Sequence, residues 1–464
     1  MMRSRNYKVG LILTALALLR VVSVCQRQLN QQRTDPKMGL MRVADLGSNA
    51  PPMLAFTTVA LGGFRGLIAN SLWIRANDLQ NDGKYFEMVQ LADWITKLEP
   101  TFAQVWLMQG WNMAYNISVK FSDYGDRWRW VQRGIELLRD EGLKYCPREA
   151  LVYRELAWFF QHKMGQTLDD AHLYYKAAWA KEMETVLGSG RPNFTELLNP
   201  QTDEAKKRVL ILHDKYKMDP RVMKEVDEVY GPLEWRFPEA HAIYWATLGL
   251  KESKHKDLIT LRRVIYQSEA MMVMRGQLYS VEPLRYGPDL SKVDQAVKAY
   301  EKMVAESDEL KNAIETAQRN FLREVVFLLY THNKQQKAGE LFSYLKNKFP
   351  NAVPPGQPLD EFALTRLAGS LKDMTSDKAK GVIEGLIGQY YQNLILGDED
   401  RANGMYLMGQ KMWKLYDART VRDAIRLPPF PEMVKGVKDR LLDPKEGLDP
   451  DYANKLRAAI EKRK

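Results

Sequence analysis

Residues 83–110 read GKYFEMVQLADWITKLEPTFAQVWLMQG, and this stretch decides the fold. Gly83 is a turn glycine between two helical runs. Leu98-Glu99-Pro100 closes the second run, because proline cannot continue a helix and restrains the residue before it. A new helix then opens, with Trp106 and Gly110 four residues apart and so on one face. Upstream, residues 64–80 supply the partner of 85–98, which makes one helical hairpin. The pattern returns twice. Residues 104–116 pair with 128–144 across an insertion containing Asp123-Tyr124-Gly125, and Pro147 closes that unit. Residues 151–161 pair with 168–184, where Asp170-Ala171, Tyr175 and Ala178 give the second helix small residues that let a neighbour approach.

These landmarks resemble the tetratricopeptide repeat (TPR), a helix–turn–helix unit of about 34 residues with W-x₂-L-G-x₂-Y, A-x₃-F and P positions. A late stretch fits as well: Ala338, Phe342, Leu345 and Pro350 fall at the family's intervals behind Leu322, Val326 and Leu329. The resemblance implies an all-α, TPR-like helical-hairpin solenoid, in which each hairpin buries its apolar face on the next. The activity it implies is binding, in a concave groove lined by the first helix of each unit. Projected onto this chain, that face takes Asn70, Trp73, Asn77 and Gln80 from unit one. It takes Gln104, Leu107 and Trp111 from unit two, and Leu151, Arg154, Trp158 and Gln161 from unit three. The candidate contacts for a protein or peptide partner are Trp73, Asn77, Gln80, Gln104, Trp111, Arg154, Trp158 and Gln161. Amides suit the partner's backbone, Trp covers its side chains, and Arg154 is placed for a carboxylate. The competing reading of Trp111 and Trp158 is that they fill gaps between helices.

The rest of the chain divides by its punctuation. Residues 1–25 form a leader: Arg3, Arg5 and Lys8 precede an apolar run from Val9, which Arg20 interrupts. A basic stretch before an apolar one describes an export signal. No A-x-A site follows, so it reads as an uncleaved signal anchor with its N-terminus inside; cleavage near Val21 to Cys25 is the alternative. A helix over 9–25 is about 24 Å long against a hydrocarbon core of about 30 Å, which requires Arg20 to snorkel. Residues 26–63 form a polar tether and an apolar lead-in, with 53–74 read as a first packed helix rather than a second span. Units one to three occupy 64–186. An irregular insert, 187–238, carries short helices at 202–216 and 221–229. Further pairs occupy 239–356, and 357–464 is an irregular helical region. No alternating β-branched run argues for a sheet.

Composition narrows the function. The 464 residues are 45% hydrophobic and 27% charged, as for a folded protein. A net charge of +10 favours an anionic partner such as a lipid leaflet or an acidic protein, although solvated helix faces account for most of it. Two cysteines, Cys25 and Cys146, form neither a disulfide framework nor a four-ligand zinc site. The catalytic and nucleotide-binding motifs H-E-x-x-H, P-loop, G-x-S-x-G and G-x-G-x-x-G do not occur. Glu252-Ser253 and Glu306-Ser307 resemble the catalytic pair of helical lytic transglycosylases, but the Gly-Leu-Met-Gln element that should come after it is missing. The six histidines are scattered; His162 and His172 flank one turn, where a satisfied or exposed pair is expected rather than a metal site. The basic end of the chain suits a helix C-terminus better than nucleic acid. No catalytic residue, cofactor or metal is expected. The sequence reads as a membrane-tethered TPR scaffold with its bulk outside the cytoplasm, in the periplasm. The alternative is a structural subunit of a secretion, pilus or polymer-export complex.

Overall fold

A computed structural model of the chain describes residues 2–34, 65–253, 258–306, 310–368, 376–419, 426–444 and 447–463, with side chains of the first helix from Thr14 onward. Helix accounts for 79% and strand for 2%, so the class is all-α. A two-stranded antiparallel hairpin, Gln277–Ser280 against Arg285–Gly287, departs from the expectation of no sheet. Its strands are four and three residues long, too short to leave an alternation in the sequence.

One local structure recurs three times. Helix Arg65–Asn81 ends where Gly83 adopts φ +72°: its N–H donates to the Gln80 carbonyl, and the Lys84 N–H donates back to Leu79. Helix Lys311–Thr331 ends identically, with Asn333 at φ +58° bonded to Tyr330 and Lys334 to Leu329. Helix Ser376–Leu396 ends with Gly397 at φ +74° bonded to Leu394 and Asp398 to Asn393. Each is a Schellman turn, which satisfies the last helical carbonyls through a left-handed residue, and Gly or Asn is the residue that tolerates it. The chain then enters a second helix at once. Met88, Ala338 and Ala402, four residues beyond the turn, are all fully buried.

The first and second of these hairpins match to their ends. Tyr85–Leu98 and Gln335–Lys348 are both 14 residues long, and Pro100 and Pro350 come at the same distance beyond them. The third lies in the segment read as irregular, where Glu399–Arg419 is the returning helix. Its resemblance to the others is conformational, carried by Gly397 and buried Ala402 rather than by Trp or Pro landmarks.

The chain forms two compact units: Met1–Leu156 with Glu252–His255, and Ala157–Lys251 with Lys256–Lys464. The division falls inside the third expected hairpin, not at its end near 186.

In the first unit, Ala69, Ala76, Leu79, Met88, Ala92, Ile95 and Val105 form the core of the first hairpin and the start of the next helix. The Trp106 indole N–H donates to the Pro100 carbonyl at 2.8 Å, and the Tyr153 hydroxyl donates to the Pro147 carbonyl at 3.0 Å. Each closing proline therefore receives a hydrogen bond from the aromatic residue six positions on. Gly110 lets the helices approach closely, since a Cβ there would meet the Leu138 side chain at 3.0 Å and push it aside. The helices expected at 104–116, 128–144 and 151–161 each turn π-helical over six residues, at Asn112–Ile117, Leu137–Gly142 and Phe159–Met164.

In the second unit the deepest stretch is the join between the insert and helix Pro238–Glu252. Every residue from Trp235 to Ala246 is buried, although the boundary read from sequence falls at 238. The insert holds three helices, Phe194–Leu198, Asp203–Asp214 and Pro220–Tyr230, capped by Asn193, Thr202 and Asp219 side chains. His241 lies at the centre. Its Nε2–H donates to the Trp235 carbonyl at 2.8 Å, while Phe160 stacks on it and Trp179 and Trp235 meet it edge-on.

Candidate partner-binding site

The first unit presents six of the eight candidate residues. Trp73 is half-buried, its ring 5.6 Å from Phe102, which joins the first hairpin to the start of the next helix. Asn77 and Gln104 are exposed and Gln80 is half-buried. Among the described residues the side-chain amides of these three make no hydrogen bond. Trp111 is 37% exposed and stacks on Tyr115 with ring centroids 4.0 Å apart. Arg154 is half-buried, but its Nη1 donates to the Glu155 carboxylate at 2.7 Å.

That contact changes the role expected of Arg154. Burial raises the Glu155 pKa, and the guanidinium of Arg154 opposes the shift. Removing Arg154 would strand a buried carboxylate, so this arginine holds the fold rather than waiting for a ligand's acid.

Trp158 and Gln161 belong to the second unit. Trp158 stacks on His162, with centroids 4.5 Å apart. Gln161 is 2% exposed, and its Nε2 donates to the Val264 carbonyl at 2.7 Å and the Ser268 hydroxyl at 2.9 Å. It is therefore withdrawn from the candidate set. A buried amide must find partners, and helix Ile259–Arg275 provides them. The same bonds explain why the chain beyond Leu156 packs with later residues.

The second unit also holds polar groups that the sequence did not single out. Lys163 forms a 2.5 Å ion pair with Asp169, their side chains 3% and 7% exposed. Asp169 also accepts from the Ala171 N–H at 2.9 Å. Lys176, fully buried, lies 3.0 Å from His172 Nδ1; burial lowers its pKa to about 8, with Glu239 opposing and Arg275 assisting. Arg275 bonds Glu239 at 3.1 Å. Burial raises Glu269 to about 7, although Gln295 donates to it at 2.8 Å. No short motif links these groups, which come from segments more than a hundred residues apart.

A cleft of about 410 Å³ lies in the same unit, lined by Lys181, Glu184, Ser189, Arg236, Tyr279 and Glu282, among others. Its cations are already engaged. Arg236 donates to Glu184, Glu234 and the Ser189 carbonyl, and Lys181 to Glu282 at 2.6 Å. An anion would have to displace these carboxylates, so the cleft is balanced rather than receptive. Among the described residues no group of three or more His, Cys, Asp or Glu is placed to hold a metal ion.

The leader region is a 33-residue helix, Met2–Thr34, with Leu16, Leu18, Leu19, Val21, Val22 and Val24 all exposed. Among the described residues no helix is long and apolar enough to cross a membrane, and the side chains of 9–13, half of the apolar run, lie outside that description. Most of the tether and lead-in, 35–63, also lies outside it. Compared with family models, curated proteins and solved structures, the chain matches none.

Proposed function

We propose that the protein is a membrane-tethered, TPR-like scaffold that holds a protein or peptide partner outside the cytoplasm, and that it binds rather than catalyses. The observation that carries this reading is the set of solvent-facing amides on the first helices, Asn77, Gln80 and Gln104, which make no hydrogen bond among the described residues and share their helices with Trp73 and Trp111. Amides with free donors and acceptors pair with an extended backbone, and flanking indoles cover its side chains. The recurrent Schellman hairpins support the repeat character, since equal turns produce equal stacking units. The leader's basic-then-apolar order supports the tether.

The test is capture of the native partner by the detergent-extracted full chain, read by crosslinking and mass spectrometry. Each amide hydrogen bond contributes about 0.5–1.5 kcal/mol, so N77A, Q80A and Q104A combined should weaken capture by tenfold or more at unchanged melting temperature. Capture that survives the triple change would place the partner elsewhere. Recovery only within a large assembly, indifferent to these residues, would favour the structural-subunit reading.

A further inference from the structure

The second helices of the first unit, with the turn around residues 118–121, carry an aromatic surface that includes none of the candidate partner contacts. Phe86, at the start of helix Tyr85–Leu98, is 53% exposed. Its ring meets Trp130 edge-on at 5.8 Å and Phe121 at 6.4 Å, and Phe121 and Trp130 lie 6.3 Å apart. Val119, 49% exposed, extends the patch. Two exposed cations border it: Lys120 Nζ lies 5.4 Å from the Tyr85 ring centre, and the Arg133 guanidinium 5.0 Å from that of Trp130. Among the described residues neither cation has a carboxylate partner. The acids nearby in sequence are occupied differently. Asp123 caps helix Tyr124–Glu136, Asp126 pairs with Arg129 at 2.7 Å, and Glu87 stands in the first turn of its own helix, where the dipole favours it.

Large aromatic rings beside unpaired cations are the composition of an interfacial membrane anchor. The rings enter the headgroup boundary, and the cations meet anionic lipid. Leaving Phe86 in water brings the fold no stability, and the two cations rest against rings of the patch rather than against a carboxylate. We infer that the Phe86–Phe121–Trp130 patch, with Lys120 and Arg133, docks on an anionic lipid leaflet and lays the first unit against the membrane. The inference rests on the proposed tether, which would hold the unit near that surface. Thirty residues separate the leader helix from helix Arg65–Asn81, a length of chain of at most about 100 Å. Docking on the second helices leaves the first-helix amides open to a partner.

The experiment uses the full chain reconstituted into vesicles, with hydroxyl-radical footprinting of individual side chains. Vesicles rich in phosphatidylglycerol should protect Phe86 and Trp130 while Asn77 and Trp111 label as in detergent. Pure phosphatidylcholine vesicles should leave the patch labelled although the protein still sediments. Each cation near an anionic leaflet strengthens binding about fivefold, so K120Q with R133Q should reduce the docked-to-undocked ratio on the order of 25-fold. Both residues are exposed, and unchanged circular dichroism would confirm that the variant is folded. Sedimentation with an unprotected patch would overturn the docking and leave the tether intact. Failure to sediment with any vesicle would remove both. Protection equal in neutral vesicles, or unaffected by K120Q and R133Q, would overturn the anionic-leaflet assignment, as would protection produced only by an added acidic peptide.

Discussion

The two units differ in where several of their largest side chains lie. The first leaves Phe86, Trp94 and Trp111 between 37% and 56% exposed. The second places Trp179, Trp235 and Tyr244 at 3% exposure or less and encloses charged groups, Lys163, Lys176, Glu239 and Glu269, among them. Hydrophobicity alone does not separate these sets, since both contain tryptophans on helices. The difference is what each ring faces. In the first unit the first hairpin fills its core with Ala, Leu, Met and Ile, and Trp106 and Trp128 are buried further on, while Phe86, Trp94 and Trp111 stay outside. In the second, the rings of Phe160, Trp179 and Trp235 enclose His241, which burial holds neutral by lowering its pKa to about 4. Surplus apolar area at a surface points to binding, whereas enclosed ions make stability depend on pH.

The sharpest way to break this contrast is to remove one tryptophan from each unit. Trp235→Ala deletes a 1%-exposed indole that bonds Asp227 at 3.0 Å and meets His241 and Tyr244, and should cost about 3–5 kcal/mol. Trp111→Ala should cost under about 1 kcal/mol, because its ring leans on Tyr115 with one face in water. Chemical denaturation of both variants checks the pair. Equal losses would mean that Trp111 is part of a core after all.

Next in size is a pH effect at Glu269 in the second unit. The Glu269 pKa rises from 4.5 to about 7 because burial penalises its charge. Below about 4.5 the group is protonated whether folded or not, and contributes no slope. Between about 4.5 and 7 the unfolded chain ionises first, so stability falls as pH rises, by on the order of 2–3 kcal/mol, and the penalty stays constant above 7. Glu269→Gln should remove that slope and be the more stable form at pH 8, since a glutamine oxygen still accepts from Gln295. His241 titrates with the opposite sign in part of this window, so the wild-type-minus-variant difference in melting temperature is the quantity to measure. A difference independent of pH would show that Glu269 ionises freely.

The smallest expected effect tests what the units share. Gly83→Ala and Gly397→Ala meet no atom within 4 Å, so each should cost only the left-handed backbone term, about 1 kcal/mol. Asn333→Gly should stabilise its hairpin by under about 1 kcal/mol, because glycine adopts φ +58° more readily than asparagine. Thermal melts of the three variants would show whether one turn serves all three hairpins.

What the sequence determined by itself was local. Tyr85–Leu98 has the bounds its periodicity predicts, because a turn residue, a proline and a 3.6-residue repeat all act within a few positions. The candidate amides were legible for the same reason, since a helix position fixes which face a residue takes. Tertiary structure alone decided Gln161, whose partners Val264 and Ser268 lie 103 and 107 residues away. It decided Arg154 through the burial of its neighbour Glu155, which no pattern of charges foretells. It also joined Phe86 to Trp130 and enclosed 235–246, since burial depends on which distant surfaces meet. Hydrogen bonds within one turn are written in consecutive residues, whereas the environment of a side chain is set by the whole fold around it.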